Sequence, residues 1–156
     1  MTDPLERGPI LLYDGLCGFC DGAVQFVLRR DRRGRIRFAA LQGDFAAAVI
    51  ARHPELAGVD SLVLVERAPG GGERVSVRSD GALRVARYLG GAWRATTLLR
   101  LVPRALRDWA YDTFARNRYR WFKRLEACRV PTAEERERFV ADSNAAVTAG
   151  AEGTSL

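Results

Sequence analysis

Residues 10–20 read Ile10-Leu11-Leu12-Tyr13-Asp14-Gly15-Leu16-Cys17-Gly18-Phe19-Cys20. The apolar run at their start, ended by Asp-Gly, is typical of a buried strand that meets a loop. Farther along, apolar side chains recur at helical spacing, which predicts a helix from about Cys17 to Arg30. We therefore predict a strand, a short loop and a helix, with both cysteines at the start of the helix.

The position of Cys17 at a helix N-terminus suggests a chemical role. Unpaired backbone N–H groups and the positive end of the helix dipole favour an anion there, and the thiolate is the form of cysteine that attacks a disulfide. We expect Cys17 to be an exposed attacking thiol and Cys20 to be a more buried thiol that resolves the mixed disulfide. Asp14 is a candidate proton acceptor for Cys20, with turn or helix capping as the alternative. Gly15 and Gly18 allow close approach of a partner's backbone, so they and Phe19 are candidate substrate contacts.

The C-x-x-C spacing alone leaves two other interpretations open. Half of a zinc site looks the same, but zinc needs about four ligands, and beyond the pair the sequence offers only Cys128 and its single histidine, His53. His53 precedes a proline in a predicted loop, where a solvated histidine is the simpler interpretation. We therefore predict no metal site. Two inert core cysteines remain the other alternative.

After the first helix, the patterns predict five further elements. They are a strand over residues 35–39, a helix over 45–52, a strand over 61–65, a strand over 74–77 and a helix over 79–89. Asp44 and Ser79 are the expected N-caps of the two helices. The core is therefore an α/β fold with the order β-α-β-α-β-β-α.

The C-terminal part of the chain is predicted to be helical. Pro103 separates a segment over 93–101 from a longer helix over 104–123. Thr132 and Glu135 fit a capping box that opens a last short helix. Residues 143–156 lack periodicity and are rich in small and polar residues, so we expect a disordered tail.

Length and composition fit one domain. The chain has 156 residues, of which 47% are hydrophobic and 28% charged, unlike a disordered or membrane protein. We expect a single domain over residues 1–142, with a core at about 8–91 and a helical extension at about 92–142. No run approaches the roughly 18 apolar residues of a spanning helix, and the first residues do not resemble a signal peptide. These features predict a cytoplasmic protein.

With the motif of residues 13–20 in view, the chain resembles the DCC family of thiol-disulfide oxidoreductases. The other segments that carry this resemblance are Arg37-Phe38-Ala39-Ala40-Leu41-Gln42, Asp60-Ser61-Leu62-Val63-Leu64-Val65, Arg78-Ser79-Asp80-Gly81-Ala82-Leu83, Asn117-Arg118-Tyr119-Arg120-Trp121-Phe122 and Cys128-Arg129-Val130-Pro131. The resemblance extends over roughly residues 8–140. It implies a thioredoxin-like fold that carries a redox pair at Cys17 and Cys20.

One departure from the thioredoxin pattern concerns substrate docking. Thioredoxins and glutaredoxins have a cis-proline just before the strand that follows the second helix, whereas this chain has Val59-Asp60-Ser61. Asp60 and Ser61 are therefore candidates for its role. Ser79 and Asp80 are similar to the glutaredoxin site that binds a carboxylate of glutathione, because helix-terminal N–H groups suit an anion. Helix capping is the preferred explanation of that pair.

Further features of the sequence allow other roles, none of which is the preferred interpretation. Cys128 can be a third active-site thiol, an intermolecular disulfide partner or a buried apolar residue, and burial is the preferred interpretation. The basic turn at 29–35 and the Arg-aromatic segment at 116–124 fit a nucleic-acid surface, but a solvated turn and a packed helix are preferred. Residues 98–104 can lie on an anionic membrane, a role that we expect even less.

These observations predict a thiol-disulfide oxidoreductase that works through Cys17 and Cys20 without an organic cofactor. Its expected substrate is a protein disulfide or a low-molecular-weight thiol, with glutathione as a candidate co-substrate. A separate redox partner would reset the pair. The alternative from another class is a basic adaptor that binds nucleic acid or a membrane surface, with structural or zinc-binding cysteines.

Overall fold

The computed structural model describes residues 3–59, 61–124 and 130–141. Its strands are β1 (Ile10–Tyr13), β2 (Arg37–Ala40), β3 (Val63–Arg67) and β4 (Glu73–Val77). They form one mixed sheet in the order β2-β1-β3-β4. Strand β1 pairs in parallel with β2 and antiparallel with β3, and β4 pairs antiparallel with β3. The β3–β4 hairpin is thus formed as predicted, with β3 beginning two residues later.

Four α-helices and four short 3₁₀ helices complete the described chain. The α-helices are α1 (Gly18–Arg30), α2 (Asp44–Arg52), α3 (Arg78–Leu89) and α4 (Arg104–Trp121). The 3₁₀ helices are Pro4–Arg7, Pro54–Leu56, Gly91–Leu101 and Arg136–Arg138. The predicted order β-α-β-α-β-β-α is confirmed, and with this sheet it is a thioredoxin-like fold.

The centre of the sheet is buried on both faces, and this explains the continuous apolar run of β1. All four residues of β1 are buried, as in a central strand covered by helices on two sides. Side chains alternate across a strand. Leu11 therefore packs in the cluster that includes residues of α1 and α3, whereas Leu12 packs in the cluster that includes residues of α2. The loop that follows β1 lies at the C-terminal end of this strand and leads directly into α1.

The structure corrects the predicted helix caps. The N-cap of α2 is Gly43 and that of α3 is Val77, and neither makes a side-chain capping bond; the predicted caps Asp44 and Ser79 lie inside their helices. The box of Thr132 and Glu135 is formed in both directions. It precedes only the 3₁₀ helix Arg136–Arg138, not an α-helix, because the backbone leaves the helical path at Phe139.

Several predictions lie outside the described residues. These are the role of Asp60, the role of Cys128 and the disordered tail at 143–156. The domain boundaries also remain a prediction. Within the described ranges, no helix combines the length and the apolar character needed to cross a membrane.

Candidate redox site

Cys17 is the N-cap of α1, and this places both cysteines where the sequence predicts them. The Sγ atom of Cys17 accepts a hydrogen bond from the backbone N–H of Cys20, at 3.4 Å. Both residues are free thiols. The predicted exposure of Cys17 is wrong, however, because Cys17 and Cys20 are each only 1% exposed.

A segment from far along the chain lies over Cys17. We call residues Phe122, Lys123 and Arg124 the strap. Arg124 forms an isolated antiparallel bridge with Cys17, and the N–H of Gly18 donates to the carbonyl oxygen of Lys123 at 3.2 Å. Phe122 packs on the ring of Phe19, with 5.3 Å between ring centroids. The backbone that approaches Gly18 closely is therefore the protein's own.

Asp14 holds the loop between β1 and α1 to two distant parts of the chain. Its Oδ1 accepts hydrogen bonds from the Leu16 N–H and the Gln42 side chain, and its Oδ2 accepts one from the Tyr119 hydroxyl. Burial alone would raise the pKa of Asp14, but these donors and the charge of Arg118 together hold that pKa below its usual value. A carboxylate with a lowered pKa is a weaker base, which favours anchoring of the loop over acceptance of a proton from Cys20.

Arg118 is the largest fully buried side chain, at 2% exposure, and it lies within the electrostatic reach of Cys20. Its guanidinium donates to the Tyr119 hydroxyl at 3.1 Å and stacks 4.7 Å from the centre of the same ring. Its charge also acts on Asp14 and Tyr111. Sequence reasoning did not single out Arg118 as a site residue. The available signal was a basic residue inside an aromatic segment.

Burial controls the protonation of Cys20. The pKa of Cys20 is raised to about 12, mainly by loss of hydration on burial and also by the hydrogen bond with Cys17 and the charge on Cys17. The charge of Arg118 and the N–H of Asp14 act in the opposite direction. Cys20 is therefore a protonated thiol at neutral pH.

Three predicted substrate contacts lie near the cysteines. Gly15 is buried, and its N–H donates to the Gln42 side chain at 3.3 Å. The ring of Phe19 packs on Phe114 as well as on the strap. Ser61 is buried and hydrogen-bonded to Tyr111.

The predicted glutathione contacts at the start of α3 are occupied by α4. The hydroxyl of Ser79 donates to Asp108, and Asp80 pairs with Arg107 at 3.1 Å and with Arg104 at 3.3 Å. These bonds explain why Ser79 does not cap α3. They also mean that both side chains already have partners within the protein.

Among the described residues, no three His, Cys, Asp or Glu side chains form a group that could hold a metal ion. His53, the histidine weighed as a zinc ligand, instead contacts Glu55 and Glu73. The zinc alternative would need Cys128, which is outside the described ranges.

Residues 11–124 match the family described as DCC1-like thiol-disulfide oxidoreductase. The chain belongs to this family. It is 36% identical over 141 residues to the uncharacterized protein YuxK of Bacillus subtilis, covering 90% of this chain and 99% of that protein. It is 33% identical over 125 residues to the DCC family protein At1g52590, chloroplastic, of Arabidopsis thaliana, covering 79% of this chain and 70% of that protein. No solved structure matches the chain.

The lowered pKa of Asp14 predicts a specific acid dependence for this family member. A carboxylate with a depressed pKa in the folded state stabilises the protein above the unfolded pKa of about 4 and loses that contribution as the pH falls. Asp14→Asn should therefore lower the free energy of unfolding by about 1–3 kcal/mol at pH 7, as for hydrogen bonds to a charged group. The difference between the two proteins should shrink below about pH 4. Urea unfolding of both proteins at a series of pH values measures this difference in free energy. A difference that does not change with pH would contradict the prediction.

Proposed function

We propose that this protein exchanges disulfides with Cys17 as the attacking thiol and Cys20 as the resolving thiol. The observation that carries the proposal is the unequal environment of the two sulfurs. Cys17 Sγ accepts an N–H at the N-terminus of α1, where an anion is favoured. The pKa of Cys20 is raised to about 12. One sulfur is thus placed to be a nucleophile while the other keeps its proton.

The exchange runs in two steps. The Cys17 thiolate attacks one sulfur of the substrate disulfide, forms a mixed disulfide and releases the other substrate sulfur as a thiolate. Cys20 then loses its proton to solvent or to the departing thiolate, attacks Cys17 Sγ and releases the second substrate thiol, which leaves a Cys17–Cys20 disulfide. A dithiol reductant returns the pair to the reduced form. Each cycle moves two electrons to the substrate.

The first step changes the environment of Cys20. In the reduced pair, the hydrogen bond with Cys17 and its charge both raise the pKa of Cys20. Once Cys17 is in a mixed disulfide, that charge is gone, while the charge of Arg118 still favours the Cys20 thiolate. The first step therefore removes one cause of the raised pKa of Cys20 before Cys20 has to lose its proton in the second step.

The strap must move before a large substrate can reach Cys17, since Cys17 is 1% exposed. Among the described residues, the strap contacts the start of α1 through the bridge of Arg124 with Cys17, which includes the Gly18 N–H bond to Lys123, and through the packing of Phe122 on Phe19. Local openings of such small contact regions cost much less than global unfolding. Substrate access through transient opening of the strap is part of the proposal.

For the substrate we propose a protein disulfide or the disulfide form of a low-molecular-weight thiol, reduced in the cytoplasm without an organic cofactor. Glutathione remains a candidate co-substrate, but its docking at Ser79 and Asp80 would compete with Asp108, Arg104 and Arg107. A protein disulfide presented to the Cys17 turn needs no such competition. It would displace only the strap.

A redox titration tests the proposal directly. The purified protein is equilibrated in graded dithiothreitol or glutathione buffers, free thiols are alkylated, and peptide mass mapping locates them. We expect one two-electron transition confined to Cys17 and Cys20, with a slope of about 30 mV per tenfold change in the redox ratio. Two thiols that never form a bond in oxidising buffer would refute the exchange, and stoichiometric zinc would favour the adaptor alternative.

A substitution at Gly18 tests the opening of the strap. A Cβ at Gly18 would lie 2.7 Å from the Lys123 carbonyl oxygen, so Gly18→Ala should displace the strap. Weakening its closed form by about 1–2 kcal/mol should speed alkylation of Cys17 about 5–30-fold, because the rate follows the open population.

Gly22 supplies the matched control for this substitution. It lies in the same helix, and a Cβ there meets nothing within 4 Å. Gly22→Ala should raise stability by up to about 1 kcal/mol through helix propensity alone and leave the alkylation rate unchanged. An unchanged rate in Gly18→Ala would show that the strap does not limit access.

A further inference from the structure

An arginine-rich cavity of about 830 Å³ opens at the end of the sheet opposite the cysteines. Cys17 follows the C-terminal end of β1, whereas the cavity residue Glu66 lies next to Val65, which pairs with Ile10 at the other end. Among the described residues, nine arginines line the cavity, against two carboxylates, Asp31 and Glu66. These arginines are Arg30, Arg32, Arg33, Arg35, Arg67, Arg74, Arg84, Arg87 and Arg94.

The carboxylates of the described residues neutralise little of this positive charge. Asp31 is already bonded to Arg138 and to the N–H of Ile36. Of the nine cavity arginines, only Arg67, with Asp3, and Arg84, with Glu66, form ion pairs within residues 3–59, 61–124 and 130–141. Seven arginines of the cavity therefore have no carboxylate partner there.

Interaction with helix dipoles accounts for only a few of these arginines. Cations near a helix C-terminus interact favourably with its dipole, and this explains Arg30 and Arg87 in the last turns of α1 and α3. The other unpaired arginines lie in loops, in β4 or beyond α3. Their convergence on one concave surface raises the local concentration of anions.

Glu66 provides a second, independent feature. It is only 7% exposed. Its Oε1 accepts from Arg84 at 3.3 Å and from the Tyr88 hydroxyl at 3.4 Å. Its Oε2 is buried and has no hydrogen-bond partner among the described residues. A buried acceptor without a donor is costly, so a ligand that brings a donor to Oε2 would gain affinity.

We propose that this cavity binds a nucleoside di- or triphosphate. The arginines would bind the phosphates, because guanidinium matches phosphate geometry with two parallel hydrogen bonds. Glu66 Oε2 would accept from a ribose hydroxyl, the role that acidic residues have in dinucleotide sites. The volume lies within the range of about 300–1,000 Å³ typical of small-ligand sites. The concave shape and the buried acceptor favour a small ligand over an extended nucleic-acid backbone.

Calorimetry on the full chain at physiological salt tests this site, with ATP and inorganic tripolyphosphate as probes. We expect saturable 1:1 binding of both, with ATP the tighter ligand. Arg74→Gln with Arg87→Gln should weaken both probes about 100-fold, at about tenfold for each charge-assisted bond lost. Arg116→Gln with Arg120→Gln removes the same charge from the exposed surface of α4, outside the cavity, and should leave binding nearly unchanged.

Glu66→Gln separates ribose recognition from phosphate attraction. It should reduce the ratio of ATP to tripolyphosphate affinity about tenfold, since the acceptor for the ribose hydroxyl is weakened. Cys17→Ser should bind both probes normally, so this test does not depend on disulfide exchange. Absence of ATP binding at millimolar concentration, or equal weakening by the α4 pair, would overturn the proposal. Single-stranded RNA or anionic vesicles that bind the cavity more tightly than ATP would overturn it in favour of a macromolecular anion.

Discussion

Cys20→Ser should trap stable mixed disulfides on Cys17, whereas Cys17→Ser should abolish exchange. The first variant keeps the sulfur that accepts the Cys20 N–H and loses the thiol that resolves the intermediate. The second keeps only a sulfur whose burial raises its pKa, so little thiolate is present at neutral pH. We expect trapped adducts of Cys20→Ser with a model protein disulfide, measured by non-reducing electrophoresis and mass mapping. Exchange by Cys17→Ser should fall at least about 10³-fold, as for loss of a catalytic nucleophile.

The two serine variants control one another because both replace one buried thiol with a hydroxyl. Alkylation by a small reagent at pH 7 supplies a second comparison. Cys17 in the Cys20→Ser variant should react, through strap opening, faster than Cys20 in the Cys17→Ser variant. If Cys17→Ser instead accumulates the adducts, then the roles of the two cysteines are reversed. If neither variant traps a disulfide, then the pair does not perform exchange.

Local sequence patterns were sufficient for the core fold. The apolar run of β1, the turn after it and the helical spacing from Cys17 onward all depend on residues close in sequence, and each is found where it was predicted. The hairpin of β3 and β4 is also formed, with β3 shifted by two residues from its predicted position. The order of these elements agrees with the thioredoxin-like class, which the resemblance to the DCC family implied.

The errors in the predicted site have one physical origin, which is the packing of α4 and its C-terminal extension. The strap reaches Cys17 across more than 100 residues and buries it. Asp108 takes the hydroxyl of Ser79 that was expected to cap α3. Tyr119 and Arg118 reach Asp14 and the cysteines from the same helix. The sequence predicted a helix over 104–123 with arginine and aromatic residues interleaved, but this pattern does not specify which surface of the core the helix covers.

Removal of Arg118 should damage both the stability and the chemistry of the site. Arg118→Met retains much of the volume of the side chain but leaves the Asp14 carboxylate without that charge. Loss of this buried charged group, which also donates to the Tyr119 hydroxyl, should cost about 1.5–3 kcal/mol, measured as the free energy of unfolding in urea. Tyr119→Phe is the matched control. It removes one hydrogen bond to Asp14 and should cost about 1 kcal/mol.

The pH dependence of disulfide resolution distinguishes a chemical role of Arg118 from a structural one. Because the charge of Arg118 lowers the pKa of Cys20, resolution of a preformed mixed disulfide should need a higher pH in Arg118→Met. Arg118→Lys keeps the positive charge without the planar fork, so it should keep most of the normal pH profile even where it loses stability. If Arg118→Met does not fold, the pH profile of Arg118→Lys can still be compared with that of the unchanged protein. If the pH profile is unchanged in Arg118→Met, or shifted equally in Arg118→Met and Arg118→Lys, then Arg118 only packs in the core and stabilises it beside the cysteines. A shift confined to Arg118→Met would show that the positive charge of Arg118 favours the Cys20 thiolate after Cys17 has reacted.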